Sequence, residues 1–211
     1  MADKFKKYTG KDIDVEFSAT RCIHAARCVH GLPEVFNPDG KPWIKPDGAK
    51  AEKLAEVVRQ CPTGALRYKR HDGGAEEAPD ARNSITLAAN GPANARGEIE
   101  LSGNKETRVS LCRCGASHNK PLCDGSHEEI KFKDDGGANL PEVAGMLLGA
   151  KTLKFTPLPN GPLKVSGAHE VTSGTGKAHA RGETAFLCRC GQSAKKPFCD
   201  GSHRAAGFVA P

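Results

Sequence analysis

The segment Cys112-Arg113-Cys114-Gly115-Ala116-Ser117-His118-Asn119-Lys120-Pro121-Leu122-Cys123-Asp124-Gly125-Ser126-His127 recurs as Cys188-Arg189-Cys190-Gly191-Gln192-Ser193-Ala194-Lys195-Lys196-Pro197-Phe198-Cys199-Asp200-Gly201-Ser202-His203. Each copy offers three thiolates and one imidazole at the same spacing, C-x-C-x8-C-x3-H. Chance does not place four metal-ligating side chains twice in one register, so the chain carries two copies of one metal-binding site. Any fold it adopts must bring four ligands together twice.

Only 37% of the 211 residues are apolar, and the aromatic set is eight Phe, two Tyr and one Trp. Small units with so little to bury rely on disulfides, metals or self-association as extra cross-links. The nine cysteines are odd in number and fall into three groups of three, which disfavours a disulfide framework and favours thiolate ligation in a reducing, cytoplasmic compartment. Residues 1–10 carry lysines with no apolar run behind them, and no apolar stretch is long enough to span a bilayer. A soluble chain without membrane attachment is expected. The formal net charge is +6, but Lys and Arg are dispersed and aromatic residues are scarce among them, so no nucleic-acid partner is expected.

Residues 72–80 lack apolar periodicity and read as a linker. The expected domains are therefore 1–79, 80–145 and 146–211. In the last two, Asn90-Gly91-Pro92 answers Asn160-Gly161-Pro162, and the alternation in Ile85-Thr86-Leu87 and Leu153-Lys154-Phe155 predicts a strand entering a tight turn. Residues 174–180 predict a longer hairpin loop in the second copy. Between the copies, 134–140 read as a connector and 141–148 as a short apolar segment with room for one helical turn. In the first domain Ala51, Leu54, Ala55 and Val58 recur at helical spacing, predicting a helix over 49–60 with Asp47 as candidate N-cap and Cys61-Pro62 as its stop. The overall class is α+β: a small α+β unit followed by two β-rich repeats.

Within each repeat, the two thiolates of C-x-C lie two residues apart and point to one side of an extended or loop backbone, so they can share one iron. The C-x3-H pair is i, i+4, which on one helical turn stacks thiolate and imidazole on one face for a second iron. Asp124 and Asp200 stand where they can cap that turn, Gly125 and Gly201 remove bulk beside the metal, and Pro121 and Pro197 stiffen the approach. A structural zinc is the competing occupant, because three cysteines and a histidine also make a tetrahedral zinc set, although zinc fingers favour C-x2-4-C over C-x-C. His71, His118, His169 and His179 have no cysteine register and are expected to be surface residues.

The pattern Cys-x-Cys-x2-Ser-x3-Pro-x-Cys-Asp-Gly-Ser-His, intact in both copies, resembles the CDGSH iron-sulfur family, whose members include the NEET proteins. With its flanking strands the resemblance covers about residues 80–211. It implies one 2Fe-2S cluster per copy, held by Cys112, Cys114, Cys123 and His127 and by Cys188, Cys190, Cys199 and His203. Single-copy members are intertwined homodimers, so this chain is expected to build the same pair internally, as a monomer with a pseudo-two-fold axis.

In the first domain, Cys22-Ile23-His24-Ala25-Ala26-Arg27-Cys28 leaves Ala25 where a bacterial ferredoxin run C-x2-C-x2-C holds its middle cysteine. Together with Leu32-Pro33-Glu34-Val35-Phe36 and Cys61-Pro62-Thr63-Gly64-Ala65-Leu66, this resembles the divergent single-cluster ferredoxins over roughly residues 12–70. Cys22, Cys28 and Cys61 suit a 3Fe-4S cluster, or a 4Fe-4S cluster whose fourth iron takes His24, His30 or solvent; free thiols in a former cluster domain are the alternative.

No nucleophile-base pair, phosphate loop or positioned pair of carboxylates is present, so a non-enzymatic role is expected. The leading expectation is electron transfer with a redox partner protein. The alternative is a delivery or sensor protein that hands clusters to an apo iron-sulfur acceptor, using histidine as its release point.

Overall fold

A computed structural model describes residues 4–137 and 152–211. The end of the expected connector, the apolar segment 141–148 and the boundary at 145/146 lie outside the described residues. The chain divides into two units, residues 1–78 and 79–211. It is mostly strand with a few short helices, and no helix among the described residues is long and apolar enough to cross a membrane.

The first unit is a three-stranded antiparallel sheet in sequence order, β1 (Lys6–Tyr8), β2 (Ile13–Phe17) and β3 (Leu66–Arg70). Val15 sits opposite both Tyr8 and Tyr68, which places three apolar side chains on the face that packs inward. Two helices follow β2, α1 (Arg27–Gly31) and α2 (Ala51–Arg59). The apolar stripe of α2, Ala51, Leu54, Ala55, Val57 and Val58, joins Ile13, Val15, Phe36, Ile44 and Leu66 in one core. Helix α2 starts two residues later than the sequence periodicity predicts. Ala49 is extended (φ −149°, ψ 167°), and Asp47 lies in a separate 3-10 turn, Pro46–Gly48, where its carboxylate accepts from the Lys11 amide at 2.7 Å instead of capping α2. Proline at the head of that turn fixes a local bend that the helix cannot absorb.

Among the described residues the second unit holds six strands, β4 (Ser84–Leu87), β5 (Ala93–Leu101), β6 (Asn104–Leu111), β7 (Leu153–Pro157), β8 (Leu163–Ser173) and β9 (Ala178–Leu187), and one short helix, α3 (Ser126–Glu129). Each copy contributes an antiparallel three-strand meander, β4-β5-β6 and β7-β8-β9. The copies join through two parallel pairings, β5 with β7 and β4 with β8. Strands β4, β5, β7 and β8 thereby close a ring, a small mixed-sheet barrel with β6 and β9 on its flanks. Closure leaves the four ring strands without free edges. Residues at alternate positions fill it: Ile85, Leu87, Ala95 and Ile99 from one copy meet Leu153, Phe155, Val165 and Val171 from the other. The turns after β4 and β7 pass through Asn90 and Asn160 in the left-handed region (φ 53° and 51°), a conformation that asparagine tolerates better than most residues.

Candidate metal centres

In each repeat the last strand of the meander delivers the C-x-C pair. β6 ends at Leu111, and β9 ends at Leu187. The chain then turns back on itself. The Cys112 amide donates to the Pro121 carbonyl at 2.9 Å and the Cys123 amide to the Ser110 carbonyl at 2.8 Å, so the third cysteine returns beside the first. The second copy repeats this with Cys188 to Pro197 and Cys199 to Phe186, both at 2.8 Å. Inside the loop the Ser117 and Ser193 hydroxyls donate to Leu122 and Phe198 carbonyls at 2.6 Å.

The predicted ligands come together in pairs. The sulfurs of Cys112 and Cys114 are 3.7 Å apart, as are those of Cys188 and Cys190. Cys123 Sγ is 3.4 Å from His127 Nδ1, and Cys199 Sγ is 3.4 Å from His203 Nδ1. Among the described residues, no three His, Cys, Asp or Glu side chains gather tightly enough to hold a single ion. Two pairs of donors can serve the irons of an iron-sulfur cluster, two ligands to a metal.

Amide N–H groups surround the sulfurs. Ala116 and Gln192 donate to Cys114 and Cys190 at 3.5 Å, and Gly201 donates to Cys199 at 3.4 Å. Hydrogen bonding from the Cys114 thiol, helped by the amides of Ser117, Gly115 and Cys114, outweighs burial and brings Cys112 down to about 6. Cys114, the donor in that pair, is pushed far above the thiol range. Burial raises Cys123 to about 11 and also raises Cys190. Ligating every sulfur releases protons, and a bound cation drives that release.

The acidic residue of each motif acts on the loop. Asp124 accepts from the His118 amide at 2.7 Å and from the Ser126 amide and hydroxyl at 3.1 and 2.6 Å. Burial would push its carboxyl up, but these donors hold it at about 2. Asp200 makes the same bonds to Ala194 and Ser202, and the Ser202 hydroxyl leads in holding it below the carboxylate range.

A Cβ at Gly125 or Gly201 would meet no protein atom within 4 Å, and both glycines hold left-handed backbone (φ 95° and 92°). Clearance matters at Gly115 and Gly191. A Cβ there would lie 2.6 Å from the Cys190 carbonyl oxygen and 2.5 Å from that of Cys114, so each copy's C-x-C loop packs on the other's. One sequence expectation, that the histidines outside the cysteine register lie at the surface, is corrected at His169 and His179. Both are buried, whereas His118 is exposed and His71 pairs with Asp14 at 2.8 Å. His169 Nδ1 lies 2.8 Å from the Gly167 carbonyl, and burial lowers the pKa of its ring.

Sequence reasoning also missed Arg113 and Arg189, one residue inside each C-x-C. Each is buried and fastens its loop to the preceding turn, Arg113 through the carbonyls of Gly91 and Ala88 and Arg189 through those of Gly161 and Leu158. Arg113 also pairs with Asp134 at 2.6 Å. Their exact repetition was the available signal.

In the first unit, Cys22, Cys28 and Cys61 line one cavity of about 550 Å³ together with His24, Ala25, Arg27 and an apolar wall that includes Phe17, Trp43 and Leu66. Burial, and then the charge of Cys61, raises Cys22 and Cys28, while the His24 amide on Cys22 and the Val29 amide on Cys28 oppose that rise. Thr63 Oγ1 lies 3.5 Å from the Cys61 sulfur. Three thiols, amide donors and an apolar wall fit an iron-sulfur cluster.

Known families match the segments that contain both groups of cysteines. Residues 8–71 match the family described as a divergent 4Fe-4S mono-cluster, and residues 90–128 and 160–204 each match the iron-binding zinc finger of CDGSH type. The chain is also 42% identical over 65 residues, 31% of its own length and 86% of the relative's, to the uncharacterized protein YjdI of Escherichia coli K12, and to the same degree to that of Escherichia coli O157:H7.

Proposed function

Since the chain belongs to the tandem CDGSH iron-binding proteins with an N-terminal divergent 4Fe-4S mono-cluster domain, we propose that it is a multi-cluster redox protein acting in electron transfer. On this reading Cys112, Cys114, Cys123 and His127 hold one 2Fe-2S cluster, Cys188, Cys190, Cys199 and His203 a second, and Cys22, Cys28 and Cys61 take part in a third. The observation that carries it is the two-plus-two spacing of donors, 3.7 and 3.4 Å in both copies. Bound clusters supply reversible one-electron chemistry. The protein's residues hold them, exclude water through the buried C-x-C loops, and tune them: a neutral imidazole in place of a thiolate lowers the surrounding negative charge and favours the reduced state.

The repeats are proposed to form an intramolecular pseudo-dimer and the chain to be a monomer. The paired crossovers β5 with β7 and β4 with β8, and the reciprocal contacts of Gly115 and Gly191, support that arrangement. Sedimentation at the mass of one chain is expected; twice that mass, with the two repeats of one chain apart, contradicts it.

A second reading, pH-controlled cluster delivery, draws support from burial. Cys112, Cys114, Cys123, Cys188 and Cys190 are buried, whereas His127, His203 and Cys199 are partly exposed, so the histidine is among the more accessible donors of each set. Spectroelectrochemistry separates the readings: electron transfer requires visible bands that bleach on reduction and return on reoxidation with no loss of iron. Cluster transfer to an apo-ferredoxin, faster than the acceptor's own blank, favours delivery.

A further inference from the structure

The N-terminal cavity presents three thiols, and a cluster with four irons has one further corner to ligate. Among the residues on its wall, the side chains with soft or borderline donors for iron are Cys22, Cys28, Cys61 and His24. His30 sits in the last turn of α1 and is not part of that wall. Ala25, where a ferredoxin run would place its middle cysteine, faces the cavity without a donor.

Two features of the backbone place His24, an exposed residue, beside the thiols. Its amide donates to the Cys22 sulfur, tying it directly to a thiol of the set. Its backbone is left-handed, with φ 53°, and Ala26 follows at φ 56°. Neither residue has glycine's freedom in that region. Strain of this kind persists where the surrounding structure imposes it, and here it wraps residues 22–28 around the cavity.

We infer that His24 is the fourth ligand of the N-terminal site, completing a set of three thiolates and one imidazole with Cys22, Cys28 and Cys61. The inference rests on the reading that this cavity holds a 4Fe-4S cluster. The strained loop then brings an imidazole to the corner that a cysteine occupies in ferredoxins.

The test uses the full chain carrying His127→Cys and His203→Cys, so that neither repeat retains a histidine ligand. After anaerobic loading with iron and sulfide, the parent is expected to hold about four irons beyond the two binuclear clusters. Isotope-labelled histidine should give nitrogen hyperfine coupling to the reduced cluster. His24→Ala removes that coupling and lowers the iron count, while His30→Ala changes neither. Ala25→Cys restores C-x2-C-x2-C and is expected to keep the irons while losing the coupling; it decides the matter should His24→Ala fail to load. A four-iron cluster without nitrogen coupling in the parent, or with coupling that survives His24→Ala or Ala25→Cys, overturns the His24 assignment alone. Absence of iron from the cavity overturns the assignment and the reading beneath it.

Discussion

The repeats and the N-terminal cavity arrange cysteines in two different ways. In each repeat, backbone hydrogen bonds on both sides of the loop hold the donors as close pairs, 3.4 to 3.7 Å apart. In the first unit, three thiols stand on the wall of a cavity of about 550 Å³. The close pairs are set by local loops, while the cavity draws its donors from a loop, a helix start and a helix end. Thus the repeats are specified by short-range geometry and the cavity by tertiary packing.

The largest effects should come from the ligands. Cys123→Ser or Cys199→Ser is expected to abolish one 2Fe-2S cluster and leave the other centres loaded, because each donor set is complete within its own copy. Iron content and electron paramagnetic resonance check this; loss of both repeat clusters from either change would break the idea of independent sets.

Next is the contact between the copies. Gly115→Ala must displace the Cys190 carbonyl, with a positive φ of 85° besides, and is expected to destabilise the second unit by about 2–4 kcal/mol. Gly125→Ala meets open space and should cost only about 1–2 kcal/mol, from its φ alone. Denaturant unfolding of the two variants compares them directly. Equal losses would show that the close approach of the two C-x-C loops contributes nothing.

Acid should act on the histidine side first. Protonated imidazole has no lone pair for iron, so cluster loss is expected to accelerate as pH falls toward and below the ordinary histidine pKa of about 6.5. The His127→Cys, His203→Cys double variant should bleach more slowly than wild type across mildly acid pH. Identical bleaching of the two loaded proteins would remove histidine as the release point.

The smallest effect belongs to the first unit. Burial raises the Asp14 carboxyl, but Lys7 at 2.7 Å, His71 at 2.8 Å and the Gly10 amide bring it below the usual carboxylate range. A folded pKa below the unfolded one gives stability that is complete above about pH 4 and lost as pH falls through the lower folded value. Asp14→Asn should flatten this acid dependence of unfolding; an unchanged profile would mean the pairing carries no net stability.

How much of this was legible in the sequence follows the same division. The pairing of Cys112 with Cys114 and of Cys123 with His127 follows from spacings of two and four residues, since those set side-chain direction locally. The turns at Asn90 and Asn160 were legible for the same reason. The contacts of Gly115 and Gly191 were not, because each glycine is limited by a backbone far away in the sequence. Nor was the burial of His169 and His179, which depends on the packing of β8 and β9 and not on any local pattern. The start of α2 was misplaced because Pro46 and the extended Ala49 override the apolar periodicity. The parallel pairings between the copies had no signature in either copy alone.

The central claim is that two binuclear iron-sulfur clusters occupy the repeats, and metal and sulfide analysis of the purified full chain together with its visible spectrum tests it most directly. About two irons and two acid-labile sulfides per repeat in a red-brown protein are expected, with any N-terminal cluster adding to both totals. About one zinc per repeat, without acid-labile sulfide, would contradict it.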